Sequence, residues 1–226
     1  HLRYDEVQKA CAASIERLGI DAIDLYQVHW PDPWEQVPFK YTFKALEKLY
    51  DEGKIRAIGV SNFAVRDLEE ARSLLSHADI VSNQVRYNLL QREIEEEVLP
   101  FCQKNSISIL AWSPIASGAL SGKYSRDSPP ADHRKTYAVL FNPENLGQVE
   151  KVTAVLAAIA SRHKKTVSQV ALNWLISSTQ GVIPIPGARN GAQAAENAGA
   201  AGWSLDPAES KALRDVVDQI KLNYYP

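Results

Sequence analysis

The 226-residue sequence contains no methionine, only two cysteines and no strong excess of charge of either sign. Cys11 and Cys102 both fall in helix-like sequence and offer no disulfide framework, so a reducing, cytoplasmic setting is the expectation. No apolar run approaches the roughly 20 residues of a membrane-spanning helix, and no signal-peptide pattern opens the chain. With 25 Lys and Arg against 27 Asp and Glu, nothing advertises nucleic acid or an anionic membrane as a partner. What remains is ordinary. A hydrophobic content of 45% with 23% charge suits a soluble globular protein, and the length suits one domain with a substantial core. The chain starts at His1 inside a helical pattern, with neither Met nor a capped first element. That opening predicts a missing N-terminal part.

The apolar spacing of Val7, Ala10, Cys11, Ile15 and Leu18 predicts a helix over 4–18, with Gly19 as its C-cap. A strand over 22–30 follows, then a helix over 41–52 stopped by Gly53 and a strand over 55–63. The unit repeats as helix 65–76, strand 80–88, helix 91–104 and strand 107–114. Helices 144–163 and 166–178, strand 182–188 and helices near 192–199 and 207–220 complete the chain, Pro207 taking a first helical position. The strands are apolar almost throughout, as parallel strands covered on both faces are. Regular alternation of strand and helix predicts an α/β protein with a parallel sheet. A (β/α)8 TIM barrel needs eight strands and typically ~250 residues. The five strands here fit numbers four to eight of such a barrel, in a single domain over 1–226 whose first three units are absent. The alternative, an open doubly wound sheet, lacks the Gly-rich turn after a first strand that would support it.

Side chains alternate along a strand, so Ile23, Leu25, Gln27 and His29 share one face, with His29 at the carboxyl end where the chain breaks into a Pro/Asp-rich turn. The other strand ends carry Ser61-Asn62, Trp112-Ser113-Pro114 and Pro186-Gly187-Ala188-Arg189, with Gln84 inside the intervening strand. Each has a plain explanation: a histidine packing at a strand end, a helix N-cap, a core tryptophan, a turn glycine. Their shared location at the ends where barrel loops converge is the informative part. In IPGARNGAQAAEN a Gly and an Arg stand directly before a helix start near Gly191-Ala192-Gln193. Free N–H groups, the positive end of the helix dipole and a guanidinium fork suit phosphate there; an exposed Arg in a polar loop is the alternative. The long segment 118–135, with Lys123, Arg126, Arg134 and Lys135, reads either as a clamp over a phosphorylated ligand or as a solvated basic loop. His29 has no partners in ligand arrangement at other strand ends, so no metal site is expected.

These residues spell out a resemblance. The stretches RLGIDAIDLYQVHWPD, EGKIRAIGVSNF, SNQVRYNLL, AWSPIASGALSGKY and VIPIPGARNGAQAAENAGA, in that order, resemble the aldo-keto reductases over essentially the whole chain. Within that family the chain looks most like the bacterial-type and potassium-channel β-subunit-like branches, in which IPGAR replaces IPKS. The resemblance implies a (β/α)8 barrel that binds NADPH (or NADP+) and reduces aldehydes or ketones to alcohols by hydride transfer. By carry-over, His29 orients and polarises the carbonyl, and Ser61, Asn62 and Gln84 hold the nicotinamide carboxamide. Trp112, Ser113, Pro114, Ile115, Ser117 and Lys123 line the nicotinamide ribose and pyrophosphate. Gly187, Arg189, Gln193, Glu196 and Asn197 hold the adenosine end, Arg189 on the 2′-phosphate, with Arg134 reaching the same end.

The family's proton-donor tyrosine, its assisting lysine and the paired aspartate belong to the first three units, and neither Tyr26 nor Tyr87 stands in a matching motif. The chain as given is therefore expected to be inactive as a reductase, with His29 the one tetrad member present. Two other readings stay open: an NADPH-binding regulatory subunit with little turnover, and an inactive fragment. Two open sheet edges would invite a partner copy, so a homo-oligomer is compatible with this reading. The expected partner is a small-molecule carbonyl compound, and Trp34, Phe39, Tyr137 and Phe141 in loops 31–40 and 118–143 hint at an apolar or aromatic one.

Overall fold

A computed structural model describes residues 2–34, 36–134, 139–178 and 180–223; Lys135 and Tyr137 lie outside them. The chain forms two compact units, one of His1–Val85 with Ile94–Leu110, the other of Arg86–Glu93 with Ala111–Pro226.

The first unit alternates helix and strand: α1 (Tyr4–Leu18), β1 (Tyr26–Val28), α2 (Phe39–Asp51), β2 (Ile58–Ser61), α3 (Val65–Ser73), most of β3 (Ile80–Arg86), α4 (Val98–Lys104) and the start of β4 (Ser108–Trp112). Gly19 ends α1 in the left-handed conformation at φ 65°, its N–H closing on the carbonyls of Ile15 and Glu16. β1 and β2 pair in parallel with Gln27 opposite Gly59. β2 and β3 also pair in parallel, with Ser61 opposite Gln84 and a register shift between Ile58 and Gly59. Helices cover the strands with a fully buried set that includes Phe43, Leu46, Ile58, Phe63, Leu68 and Ile80. The Phe43 and Phe63 rings meet edge-on, with centroids 6.3 Å apart. Cys11 and Cys102 are both buried and free.

The second unit takes up the ends of β3 and β4 and adds α5 (Pro143–His163), α6 (Val167–Ser178), β5 (Val182–Pro184), α7 (Gly191–Ala198) and α8 (Pro207–Gln219). Within it the Tyr87 N–H donates to the Trp112 carbonyl and the Ile185 N–H to that of Ala111, giving strand order β1-β2-β3-β4-β5. Asn142 caps α5 by accepting from the Asn145 N–H at 2.7 Å, with Pro143 in the first turn. Leu146, Val152 and Leu156 of α5 and Val170, Trp174 and Leu175 of α6 are fully buried, and Trp174 lies 5.7 Å from the Tyr87 ring.

Three expectations from the sequence are corrected. The helix expected over 91–104 is a 3-10 turn, Glu93–Glu95, followed by α4. Pro100 has no N–H to bond backwards and is tolerated only in a first turn, so the helix restarts at Val98. Strand 182–188 stops at Pro184, because Pro184 and Pro186 cannot donate to a ladder. Strand 22–30 narrows to Tyr26–Val28, leaving Ile23 in a single bridge to Ile55.

Candidate functional site

In the first unit, the expected residues His29, Ser61, Asn62 and Gln84 meet at the carboxyl ends of β1, β2 and β3. Ser61, almost fully buried, donates from Oγ to the Gln84 carbonyl at 2.7 Å, and the Asn62 N–H donates to the same oxygen at 3.0 Å. Asn62 takes φ 62°, a left-handed conformation that asparagine tolerates better than most residues. Its Nδ2 donates to the His29 carbonyl at 3.1 Å and to Ser61 Oγ at 3.0 Å. His29 is exposed at the strand end, its ring 6.3 Å from that of Trp30. A cavity of about 750 Å³ beside it is lined by His29, Gln27, Tyr26, Trp30 and Trp34 together with Glu6 and Val7 of α1. Beneath this rim lie two polar residues that the sequence reading left without a role. Gln27 Nε2 donates to Gln84 Oε1 at 3.0 Å, and Ser82 Oγ donates to Gln27 Oε1 at 3.0 Å. The signal that could have found them is parity: Gln27 shares a face with His29, and Ser82 shares one with Gln84.

In the second unit, a cavity of about 530 Å³ is lined by Ser113, Pro114, Ile115, Ser117, Lys123, Arg134, Gly187, Arg189, Gln193, Glu196 and Asn197. Trp112 is outside that lining; it is half-buried in β4, with the Arg86 guanidinium 5.9 Å from its ring centroid. One wall is the curled 3-10 turn Ala116–Ser121, where Ala116, Ser117 and Gly118 all take positive φ, Gly118 at 99°. The opposite wall is the start of α7. Asn190 Oδ1 accepts from the Gln193 N–H at 3.0 Å, Gln193 Oε1 from the Arg189 N–H at 2.7 Å, and Asn197 Nδ2 donates to the Gly187 carbonyl at 3.2 Å. Gln193 and Asn197 therefore fix the loop that presents Arg189, which is itself exposed. A helix N-terminus beside an exposed guanidinium and an exposed Lys123 suits an anion.

Arg134 is differently placed. Its guanidinium forks onto Asp132 at 2.9 and 2.8 Å, and it also donates to the Ser117 carbonyl at 2.8 Å and to Tyr124 Oη at 2.7 Å. It lies 4.9 Å from the Tyr124 ring centroid. The bonds with Arg134 hold the Asp132 carboxyl far below the usual carboxylate range and raise the guanidinium still further. Arg134 lines the cavity, yet its donors are engaged internally, pinning the 118–134 loop to the 3-10 turn. Among the described residues, no group of three or more His, Cys, Asp or Glu is placed to hold a metal ion.

The pattern of parallel strands, polar strand ends and a cavity at a helix start that suits an anion defines a class, and comparison with known proteins gives it a name. The sequence profile of the Aldo/keto reductase family matches residues 1–218, and the chain belongs to that family. It is 32% identical over 222 residues to the NADH-specific methylglyoxal reductase of Escherichia coli (strain K12), covering 98% of this chain and 67% of that protein. It is 34% identical over 220 residues to the aldo-keto reductase YhdN of Bacillus subtilis (strain 168), covering 96% and 65%. Among solved structures it superposes on the glycerol dehydrogenase AKR11B4 from Gluconobacter oxydans with TM-score 0.89 and 30% identity, covering all of this chain and 68% of that one. The chain thus spans about two thirds of the length of these relatives, and its alternation of strand and helix is of the (β/α)8 type.

Proposed function

We propose that the chain serves a carbonyl reductase that uses a nicotinamide cofactor, NADPH in preference to NADH, to turn aldehydes or ketones into alcohols. Its five strands would be numbers four to eight of a single aldo-keto reductase barrel domain. The observation that carries the reading is the second unit's cavity, where Ser113, Ser117, Lys123, Arg189 and Gln193 gather around a helix start. Hydroxyls, a lysine, an arginine fork and helix N–H groups form a donor set for phosphates, so the residues present fit the cofactor. When bound, that cofactor supplies the hydride. The protein's part is to bind and orient. Ser61, Asn62 and Gln84 are assigned to the carboxamide; Trp112, Ser113, Pro114, Ile115, Ser117 and Lys123 to the ribose and pyrophosphate; and Gly187, Arg189, Gln193, Glu196 and Asn197 to the adenosine end. Arg134 acts as the strut of that site.

His29 would orient the substrate carbonyl. Negative charge arriving on its oxygen needs a proton donor within hydrogen-bond reach. Neither tyrosine near the strands suits that task. Tyr87 is fully buried, and burial pushes the Tyr26 phenol up, with the neighbouring Cys11 adding to the shift. Both changes oppose proton donation near neutral pH. These residues alone are therefore expected to bind cofactor without turnover. The relative named NADH-specific makes cofactor choice the sharper question, and Arg189 the residue that answers it. Among the described residues, no helix is long and apolar enough to cross a membrane.

The test is a tryptophan-fluorescence titration with NADPH and with NADH, followed by addition of aldehydes. Quenching at lower NADPH than NADH is expected, with the preference falling roughly tenfold in Arg189→Ala, the scale of one charge-assisted contact. Binding of neither cofactor would sink the proposal. Equal binding of both would remove the role of Arg189.

A further inference from the structure

A chain of three side chains crosses the first unit's sheet from one strand to another over a position kept bare. Gln27 on β1 and Ser82 and Gln84 on β3 are separated by β2, yet they are hydrogen-bonded to each other. Ser82 Oγ donates to Gln27 Oε1 and Gln27 Nε2 to Gln84 Oε1, both at 3.0 Å. The residue of β2 between them is Gly59, opposite Gln27 and Ser82 in the ladders. A Cβ at position 59 would collide with Ser82 Oγ and lie 2.9 Å from Gln27 Cγ. The polar bridge exists because that side chain is absent.

From this we infer that Gln27 and Ser82 are positioning residues for the nicotinamide carboxamide, acting through Gln84. The inference rests on the proposed nicotinamide function and deepens it. Gln84 is held in two places. Its backbone carbonyl accepts from Ser61 Oγ and the Asn62 N–H, which fixes the main chain. Its side-chain oxygen accepts from Gln27, which fixes the polarity of the amide. A flip of the Gln84 amide would set one NH2 group against another and lose the bond. Ser82 in turn holds the Gln27 carbonyl, so Gln27 keeps its own amide nitrogen on Gln84. Among the described residues Gln84 Nε2 has no partner while its Oε1 is turned onto Gln27, so the wholly uncommitted end of this amide is its NH2. A carboxamide oxygen is the complement of that NH2. A half-buried glutamine without the relay would present either end.

The experiment compares NADP+ with 2′-phospho-ADP-ribose, which lacks the nicotinamide, as ligands of the wild-type chain, Gln27→Met and Gln27→Glu. Gln27→Met keeps the bulk and removes both hydrogen bonds. In Gln27→Glu the ionised carboxylate only accepts, so it would draw the Gln84 NH2 inward and turn its oxygen outward. Both variants are expected to bind NADP+ about fivefold more weakly while 2′-phospho-ADP-ribose binds unchanged, the loss expected for one oriented hydrogen bond. A purely structural role would weaken both ligands together, and that result in both variants would overturn the inference. So would unchanged NADP+ binding in either variant. If the wild-type chain does not distinguish the two ligands, the nicotinamide reading of Gln84 fails first and the inference falls with it.

Discussion

Arg134 and Arg189 read alike in the sequence, both arginines in polar loops near a presumed phosphate site, and they are physically different residues. Arg134 is forked onto Asp132 two positions away and stacked on Tyr124, so its charge is spent within the loop. Nothing in composition or spacing reveals such a pairing. Arg189 stands exposed before α7, where the GAR–helix pattern placed it. The Asp132–Arg134 pair is itself partly exposed and screened by solvent, so Asp132→Asn should leave the urea midpoint close to that of the wild type. Gly118 is the stricter position under that clasp. At φ 99°, with a Cβ that would lie 3.0 Å from Arg134 Nη1, Gly118→Ala should cost about 1–3 kcal/mol in the same measurement. A Gly118→Ala variant as stable as the wild type would show that the loop relaxes freely. Gln27 and Ser82 were legible as to face but not as to role, because parity places a side chain without saying what it bonds.

At the scale of elements, helices whose ends carry chemical punctuation were the easiest to read. Gly19, Pro143 and Pro207 fix three boundaries to within a residue of the expected ones. Strand ends were harder, because apolar runs extend beyond the ladder into loops that only the register closes. Asn142→Ala removes the cap of α5 and should lower stability by about 1 kcal/mol in chemical denaturation. The start of α8 is held more elaborately. Glu209 is buried and accepts from Arg162 at 2.9 Å and His163 at 2.8 Å, while Asp206 and Glu209 cap each other's N–H groups. Burial pushes the Glu209 carboxyl up, but hydrogen bonds from Arg162, His163 and the Asp206 N–H outweigh it and leave the group below its ordinary value of 4.5. A carboxyl that is more acidic in the folded chain binds more protons when unfolded. Its contribution is therefore complete above about pH 4.5 and fades as pH falls through the folded value. Wild-type stability should decline over that acid range, and Glu209→Gln should flatten the decline in pH-dependent urea midpoints. An unchanged slope would exclude Glu209 as its source.

At the scale of the whole molecule, the alternation of strands and helices and the parallel pairing were legible from periodicity. The division into two compact units was not, because β3 and β4 each pass from one unit to the other within a strand. No change in pattern marks such a boundary. If the second unit's cavity binds the cofactor, NADPH at 100 times its dissociation constant should stabilise the folded chain by about 2.7 kcal/mol. A melting temperature indifferent to NADPH would argue against the site. The two cysteines carry a practical consequence. Burial pushes the Cys102 thiol up to about 11 and raises that of Cys11 as well, so at pH 8 only about one Cys102 thiol in a thousand is ionised. The native protein should take up almost no maleimide, while the unfolded protein takes up two equivalents, read directly by mass. A single cysteine introduced on the surface would then be a chemically unique handle. A dye placed there could report ligand binding without any native residue having to be removed first.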